Sequence, residues 1–210
     1  MSGWEIPSWD EAARDCIDIE ERVIEDKALR RKLKNERMTG IIAGRLNDLC
    51  GIPAKSEEFL ISTEKAFNAY ACIRSLLEGG DIDELYIAIY RINQPTVQAL
   101  SELVEDGRIR KATFIISSFF LETKKPETWA MMLMDYCEKR PDVTRFAYLH
   151  NHSKVMCARK GDDYYYFEGS GNMSDNARIE QYRYGNSKEV YDFHTGWMER
   201  CIDYYNKKRK

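Results

Sequence analysis

The sequence lacks the features that mark membrane, secreted and zinc-binding proteins. Its 210 residues contain no apolar run long enough to span a bilayer and no secretory signal at the start. The six cysteines are scattered, without the close pairs that build a zinc site. We therefore expect a cytoplasmic protein whose thiols are reduced and mostly buried.

A basic excess is also absent. The formal net charge is −3, whereas non-specific nucleic-acid binders are usually basic because phosphate neutralisation supplies most of their affinity. Short basic runs occur at residues 30–32, 108–111 and 207–210, and such runs are most often solvated faces or tails. Charge therefore neither supports nor excludes a polynucleotide substrate.

The first 55 residues differ in pattern from the rest of the chain. Residues 10–36 are dense in acids and bases with apolar residues at helical intervals, and residues 38–49 are compatible with a second short helix. The triplet Gly51-Ile52-Pro53 then breaks the helical pattern. We expect an N-terminal helical arm over residues 1–55, which packs on its own domain or on a partner subunit, and a main domain over residues 56–210.

Helical and strand patterns alternate in the main domain. Strands are expected at residues 85–90, 112–116 and 143–149, each preceded by an amphipathic helical segment. A hairpin then follows, and a further strand and a C-terminal helix complete the chain. This order predicts an α/β fold with a mixed sheet covered by helices on both faces. The expected bounds of these last elements are 154–158 and 164–167 for the hairpin, 181–184 for the strand and 190–205 for the helix.

Two polar stretches flank the predicted hairpin. In the first, His152 and Lys154 are two residues apart, so on a strand their side chains would point to the same face. The ammonium can hold phosphate oxygens, and the imidazole can act as a nucleophile or proton carrier. In the second, Ser170 and Asn172 stand among glycines that permit close approach of the backbone to a ligand. Because a hairpin returns the chain to its start, the four side chains would form a phosphate cradle without a metal.

Together the two stretches resemble the H-x-K and G-S-x-N signature of the phospholipase D superfamily. The residues that follow, 172–174 and 176–180, are similar to the continuation in that family, where an acidic residue, here Glu180, follows the asparagine loop. The resemblance covers roughly residues 60–205 and implies a phospholipase D-like fold. It also implies hydrolysis through a phosphohistidine, with no metal or other cofactor.

Residue roles follow from the resemblance. It implies that His152 is the nucleophile or its acid partner, that Lys154 and Asn172 hold the phosphoryl oxygens, and that Ser170 supports the loop. Glu180 would orient an imidazole. One departure is Arg159, which occupies the position five residues after the lysine where many members carry an aspartate, although short bacterial-type members often lack it.

The second departure is that the chain carries one copy of the motif. One copy cannot supply both the nucleophilic and the acidic histidine, so an active enzyme would be a homodimer with its site on the twofold axis. Single-copy members are typically nucleases. We therefore expect a metal-independent phosphodiesterase, a nuclease acting on DNA or RNA, that is not associated with membranes.

Other interpretations stay open at this point. A non-catalytic protein that binds phosphate or nucleic acid, or serves in assembly, is compatible with the acidic composition and with Arg159. A phosphatidyl-group hydrolase is a weaker alternative, because no amphipathic lipid-binding stretch stands out. His150 and His152 form a spaced pair that could bind a metal, but no third ligand has suggestive spacing. Phe119 and Phe120 could stack on bases or pack under a loop.

Overall fold

The computed structural model describes residues 34–40, 46, 50–63, 69–122, 127–174 and 180–209. Within these ranges the chain forms a single sheet with helices on both sides. The strands are β1 (Lys34–Gly40), β2 (Glu57–Thr63), β3 (Glu84–Ile89), β4 (Ala112–Ser117), β5 (Thr144–Leu149), β6 (Lys154–Lys160), β7 (Asp163–Gly169) and β8 (Glu180–Asn186). The helices are α1 (Tyr70–Glu78), α2 (Gln94–Glu105), α3 (Thr128–Lys139) and α4 (Lys188–Arg209), with a 3₁₀ turn at Ser118–Phe120.

The sheet is mixed, as the sequence predicts. Its strand order is β1-β2-β8-β7-β6-β3-β4-β5. Strands β3, β4 and β5 are parallel, whereas β6, β7 and β8 run antiparallel to their neighbours. The parallel strands are joined through α2 and α3, and β6 and β7 form the expected hairpin across Gly161. The predicted α/β fold class is confirmed.

Apolar side chains fill both faces of the sheet because its strands are buried between two helical layers. On one face, Ile87 and Phe114 belong to a core shared with α1, α2 and α3. On the other face, Ala88 and Ile115 pack in a second core with α4. Neighbouring residues of one strand thus serve opposite cores, which accounts for the nearly continuous apolar runs in β3 and β4.

One edge of the sheet collects the polar segments of interest. Strands β3, β4 and β5 all end there, since they are parallel. The hairpin brings the start of β6 and the end of β7 to the same edge, where Lys154 lies opposite Ile89 and Gly169 lies opposite Tyr182. Loops at the carboxyl ends of parallel strands commonly carry binding groups.

Residues 38–40 of the region expected to form a second helix lie in a strand instead, whereas Leu46 is helical. Residues Lys34–Gly40 pair in parallel with β2, so a helix does not begin at Met38. The polar composition of this strand gives no local strand signal, and its conformation depends on partners that are distant in the sequence. Of the helical pattern expected over residues 10–36, residues 34–36 belong to this strand and the rest lies outside the described residues.

The glycines of the Gly169-Ser170-Gly171 segment allow close packing inside the protein. A Cβ atom at Gly169 would collide with the backbone oxygen of Gln181, and one at Gly171 would collide with the hydroxyl of Tyr182. The absence of side chains at these two positions therefore lets the loop lie directly against β8. This close packing fixes where Ser170 is presented.

The described cysteines agree with the expectation of buried thiols. Cys72, Cys137, Cys157 and Cys201 are buried, and Cys50 is half-buried. Burial raises the pKa of each thiol, to about 12 for Cys137, which disfavours the reactive thiolate. In the described ranges no helix is long and apolar enough to cross a membrane.

Candidate active site

The side chains of His152 and Lys154 are in contact. Lys154 is the first residue of β6 and is half-buried, and His152 lies exposed in the loop just before the strand. The Nζ atom of Lys154 is 3.3 Å from Nδ1 of His152 and donates a hydrogen bond to the carbonyl oxygen of His152 at 2.9 Å. The ammonium of Lys154 therefore holds both the imidazole ring of His152 and the backbone of the loop that carries it.

Asn151 anchors this loop to the sheet. Its Nδ2 donates to the carbonyl oxygen of Ile115 on β4 at 3.0 Å, and its Oδ1 accepts from the backbone N–H of Ser153 at 2.9 Å. The hydroxyl of Ser153 also donates to the same oxygen. Sequence reasoning gave Asn151 no role, although an asparagine two residues before a serine is a pattern typical of an Asx turn.

Ser170 connects the loop after β7 to the start of β8. Its hydroxyl bonds to a carboxylate oxygen of Glu180 and accepts from the backbone N–H of Gln181 at 3.0 Å. Glu180 is only 6% exposed. Burial lowers the pKa of the Lys154 ammonium, and the negative charge of Glu180 acts against that shift. Glu180 thus helps to keep Lys154 charged.

Asn172 is bound to the segment that follows β3. Its Oδ1 accepts from the backbone N–H of Arg91 at 3.1 Å. Two backbone hydrogen bonds flank this contact, from Met173 N to Arg91 O at 3.1 Å and from Asn93 N to Met173 O at 3.0 Å. The asparagine loop is therefore docked on the end of a central parallel strand.

His152, Lys154 and Ser170 line a common cavity of about 900 Å³ at this edge of the sheet. The cavity also borders β2 and β8. Its volume is in the range of small-ligand sites, so it can accept a phosphodiester with part of the groups it joins. Its charged lining is mixed, since Glu168 and Arg183 contribute opposite charges to the wall.

Aromatic rings border His152 on its other side. The ring of Tyr90 lies 4.6 Å from the imidazole between centroids, and Lys154 Nζ lies 5.6 Å from the same tyrosine ring. Phe120 packs on Tyr90 at 5.1 Å and is buried, whereas Phe119 is 48% exposed. Phe120 is thus packed inside the protein, whereas Phe119 lies at the surface.

Arg159 lies at the far end of β6 from His152. Arg159 lies five steps along the strand from Lys154, a distance of about 17 Å. Its guanidinium pairs with Asp83 at 3.3 Å and Glu84 at 3.0 Å. The positive charge of Arg159, which replaces the aspartate of the motif, is therefore neutralised by these two carboxylates and lies far from the candidate site.

A network of charged side chains extends from the cavity wall into the protein. Glu168 contacts His194 Nε2 at 3.2 Å and Arg183 at 2.8 Å, and Arg183 reaches the buried Glu58 at 2.6 Å. The hydroxyl of Tyr166 bonds to the same Glu58 carboxylate. The sequence gave no sign of this network, because its members come from β2, β7, β8 and α4 and share no local pattern.

His194 is a further histidine, on the last helix and away from the two motifs. It lies within α4, is buried, and accepts a hydrogen bond at Nδ1 from Trp197 Nε1 at 3.3 Å. With Nδ1 accepting, Nε2 is the nitrogen that donates to Glu168. This hydrogen bond is the largest cause of the lowered pKa of the Glu168 carboxyl.

In the described part of the chain, no group of three histidine, cysteine or acidic side chains is placed to hold a metal ion. The spaced pair His150 and His152 therefore has no third ligand among these residues. Both side chains are exposed.

Comparison with solved structures identifies the fold. The polyphosphate kinase of Porphyromonas gingivalis superposes with a TM-score of 0.50 and 18% identity, over 70% of this chain and 26% of that chain. Phosphatidylserine synthase of Haemophilus influenzae Rd KW20 gives 0.47 and 16%, over 70% of this chain and 39% of that one. The archaeal chromatin protein TrmBL2 gives 0.46 and 12%, over 94% and 60%.

The fold is thus similar to that of the kinase, a neighbour whose own fold is of the phospholipase D type, and the likeness concerns the fold alone. The chain spans about a quarter of the length of the kinase. No family model matches the sequence, and no curated protein matches it.

The Glu168–His194 contact predicts a pH dependence of stability. A carboxyl with a lowered folded pKa stabilises the fold above its unfolded pKa, about 4.5, and this contribution is lost as the pH falls through the folded value. At pH 7 we expect Glu168→Gln to reduce the free energy of unfolding by roughly 1–3 kcal/mol. Urea titrations from pH 7 to pH 3 should show this difference shrinking below about pH 4.5. A difference that stays constant over this range would contradict the assignment.

Proposed function

We propose that the protein is a metal-independent phosphodiesterase, a nuclease that works through a phosphohistidine in a homodimer. The observation that carries the proposal is the contact between Lys154 and His152 at the mouth of a cavity in a phospholipase D-like fold. A cation beside an exposed imidazole supplies what attack on an anionic phosphorus needs, a nucleophile and a charge that attracts the substrate.

Lys154 and Asn172 are the proposed phosphate ligands. The ammonium of Lys154 is half-buried, so its attraction for a phosphate oxygen is screened less than it would be at an open surface. The side-chain oxygen of Asn172 is engaged by Arg91 N–H, which leaves its amide nitrogen as the end that can donate to an oxyanion. Ser170 and Glu180 support the loop from β8 and balance the charge of Lys154.

The contact with Lys154 also bears on the tautomer of His152. An ammonium can only donate, so Nδ1 of a neutral imidazole beside it accepts and Nε2 carries the proton. This tautomer suits the histidine that protonates a leaving group. The nucleophilic role requires an unprotonated Nε2, which becomes available when Lys154 turns toward a bound phosphate and the ring proton shifts to Nδ1.

In the proposed reaction, Nε2 of one His152 attacks phosphorus, and the phosphorus–oxygen bond to the leaving group breaks. His152 of the partner subunit donates its proton to that departing oxygen. Water then attacks phosphorus, its proton returns to the partner subunit's His152, and the phosphorus–nitrogen bond breaks to release a phosphomonoester. The single motif copy per chain supports the shared site, since the two roles require two histidines.

A nuclease is the favoured form of this phosphodiesterase. Single-motif members of the family that the sequence resembles are typically nucleases, and cationic and aromatic side chains stand together around His152. A binding or assembly protein with an inactive site is the alternative, and it predicts binding of nucleic acid without turnover.

Substitution of Asn172 can distinguish its hydrogen bond with the N–H of Arg91 from its proposed contact with phosphate. Asn172→Asp keeps an oxygen that can accept from Arg91 N–H, but it places a negative charge where the amide nitrogen would meet phosphate. We expect a fold as stable as the wild type and a fall in kcat of about 100- to 1000-fold. Single-turnover cleavage of labelled oligonucleotides, together with thermal melting, measures both quantities.

The matched variant is Asn172→Ala, which loses both contacts. We expect the same loss of turnover and, in addition, a lower melting temperature, because Arg91 N–H loses its partner. If Asn172→Asp turns over substrate at the wild-type rate, Asn172 does not bind the phosphate.

Mixed dimers test the shared site. When wild-type and His152→Asn chains are unfolded together in equal amounts and refolded, random pairing makes roughly a quarter of the dimers fully wild-type. If each site needs His152 from both subunits, cleavage should fall to about that fraction of the all-wild-type rate. Independent sites would leave about half, by the same counting.

The measurement is initial cleavage rate against the fraction of wild-type chains, with His152→Asn alone as the blank. A quadratic dependence supports the shared site. A linear dependence, or full activity in a monomer isolated by size-exclusion chromatography, would show that one chain suffices.

A further inference from the structure

Phe119 is an exposed aromatic ring beside the candidate site. It follows β4 directly, in the 3₁₀ turn Ser118–Phe120, and is 48% exposed. Its neighbour Phe120 is 6% exposed and holds the turn in place by packing on the ring of Trp129, with centroids 5.1 Å apart and planes inclined by 58°. Phe119 is therefore a surface ring on a rigid support.

The ring of Phe119 continues a row of rings that ends at His152. Phe119 and Tyr90 are stacked, with centroids 6.4 Å apart and planes inclined by 27°. Tyr90 in turn lies 4.6 Å from the imidazole. A ligand group that packs on Phe119 is thus separated from the imidazole of His152, the proposed nucleophile, by the ring of Tyr90.

Positive charge accompanies this row. Lys154 Nζ lies 5.6 Å from the centre of the Tyr90 ring, and the guanidinium of Arg91 lies 5.9 Å from the centre of the Phe120 ring. Two cations therefore lie beside the row of rings, Lys154 against Tyr90 and Arg91 against the buried Phe120 that supports it. Rings with cations beside them match a polynucleotide strand, in which planar bases alternate with phosphates.

We propose, resting on the function proposed above, that Phe119 and Tyr90 bind an unpaired nucleobase next to the scissile phosphate. The bases of a duplex are stacked on one another and cannot lie on a protein ring, so this contact favours single-stranded over double-stranded substrates. The acyl chain of a lipid could also pack on Phe119, but the chain carries no charge, so only the lipid headgroup could pair with the cations. The base is therefore the occupant that the combination of rings and cations favours.

The test uses binding, so that it does not depend on turnover. The His152→Asn chain, with and without Phe119→Ala, is titrated with fluorescent oligothymidine of about ten nucleotides, a length within the site sizes of single-strand binders. Loss of one stacked base should weaken the Kd by roughly 5- to 150-fold. Phe119→Trp should restore tight binding, and Phe119→Leu, which is apolar but has no π face, should not.

Three controls complete the test. Met131→Ala, which removes an equally exposed apolar side chain from α3, should leave the Kd unchanged. Duplex DNA should bind the Phe119→Ala variant as well as it binds the parent chain. Substituting an abasic residue at successive positions of the oligonucleotide should identify one position where the effect of Phe119→Ala disappears.

The proposal is overturned if Phe119→Ala and the parent chain bind oligothymidine equally, or if Phe119→Leu restores binding. It is also overturned if Phe119 is needed only for binding to vesicles of phosphatidylcholine and phosphatidylglycerol, which would indicate a lipid surface. Wild-type cleavage of the same oligonucleotide is measured separately. Cleavage that does not depend on Phe119 would reject the stacking site and leave the proposed nuclease intact. Binding that depends on Phe119 without any cleavage would support the stacking site and reject the proposed nuclease.

Discussion

The hydrogen bond from the backbone N–H of Arg91 to Oδ1 of Asn172 is the constraint on which the arrangement of the site depends. It joins the loop after β7 to the segment after β3, two parts of the chain that are 81 residues apart. The flanking backbone bonds of Met173 extend the contact into a short parallel bridge with Ile92. Because β3 is also paired with β6, the same strand end positions Lys154, and so both motifs are placed relative to one another by β3.

Side chains that do no chemistry in the proposed reaction hold the reacting groups in place. Asn151 fixes the loop that carries His152, and Glu180 holds Ser170 while its charge favours the ammonium of Lys154. Gly169 lets the serine loop lie against β8, because any Cβ there would meet backbone atoms. In the proposed reaction, preorganised groups of this kind would stabilise developing charge without reorganisation.

The sequence predicts the parts of this structure that are encoded locally. The apolar runs of β3 and β4, the hairpin after His152 and the alternation of helix and strand are all visible in it, and they suffice for the fold class. Contacts between distant segments leave no such pattern. The strand at Lys34–Gly40, the bond between Arg91 and Asn172 and the pairing of Glu168 with His194 each join residues from separate elements. The candidate site residues, with Ser170 and Glu180 as supports, could be named from the motifs, but the supporting roles of Asn151 and Arg91 could not.

The central claim is that His152 itself forms a bond to phosphorus without help from a metal ion. The most direct test is a rapid-quench reaction of the protein with a labelled oligonucleotide in excess chelator. The reaction is stopped in alkali, because phosphohistidine survives there. The protein is then digested and its peptides are analysed by mass spectrometry. The account predicts a peptide in which His152 carries the phosphoryl fragment, formed and consumed at rates consistent with turnover and absent in His152→Asn. Cleavage that stops in chelator and returns with magnesium or manganese, with no adduct on His152 at any time, would contradict it.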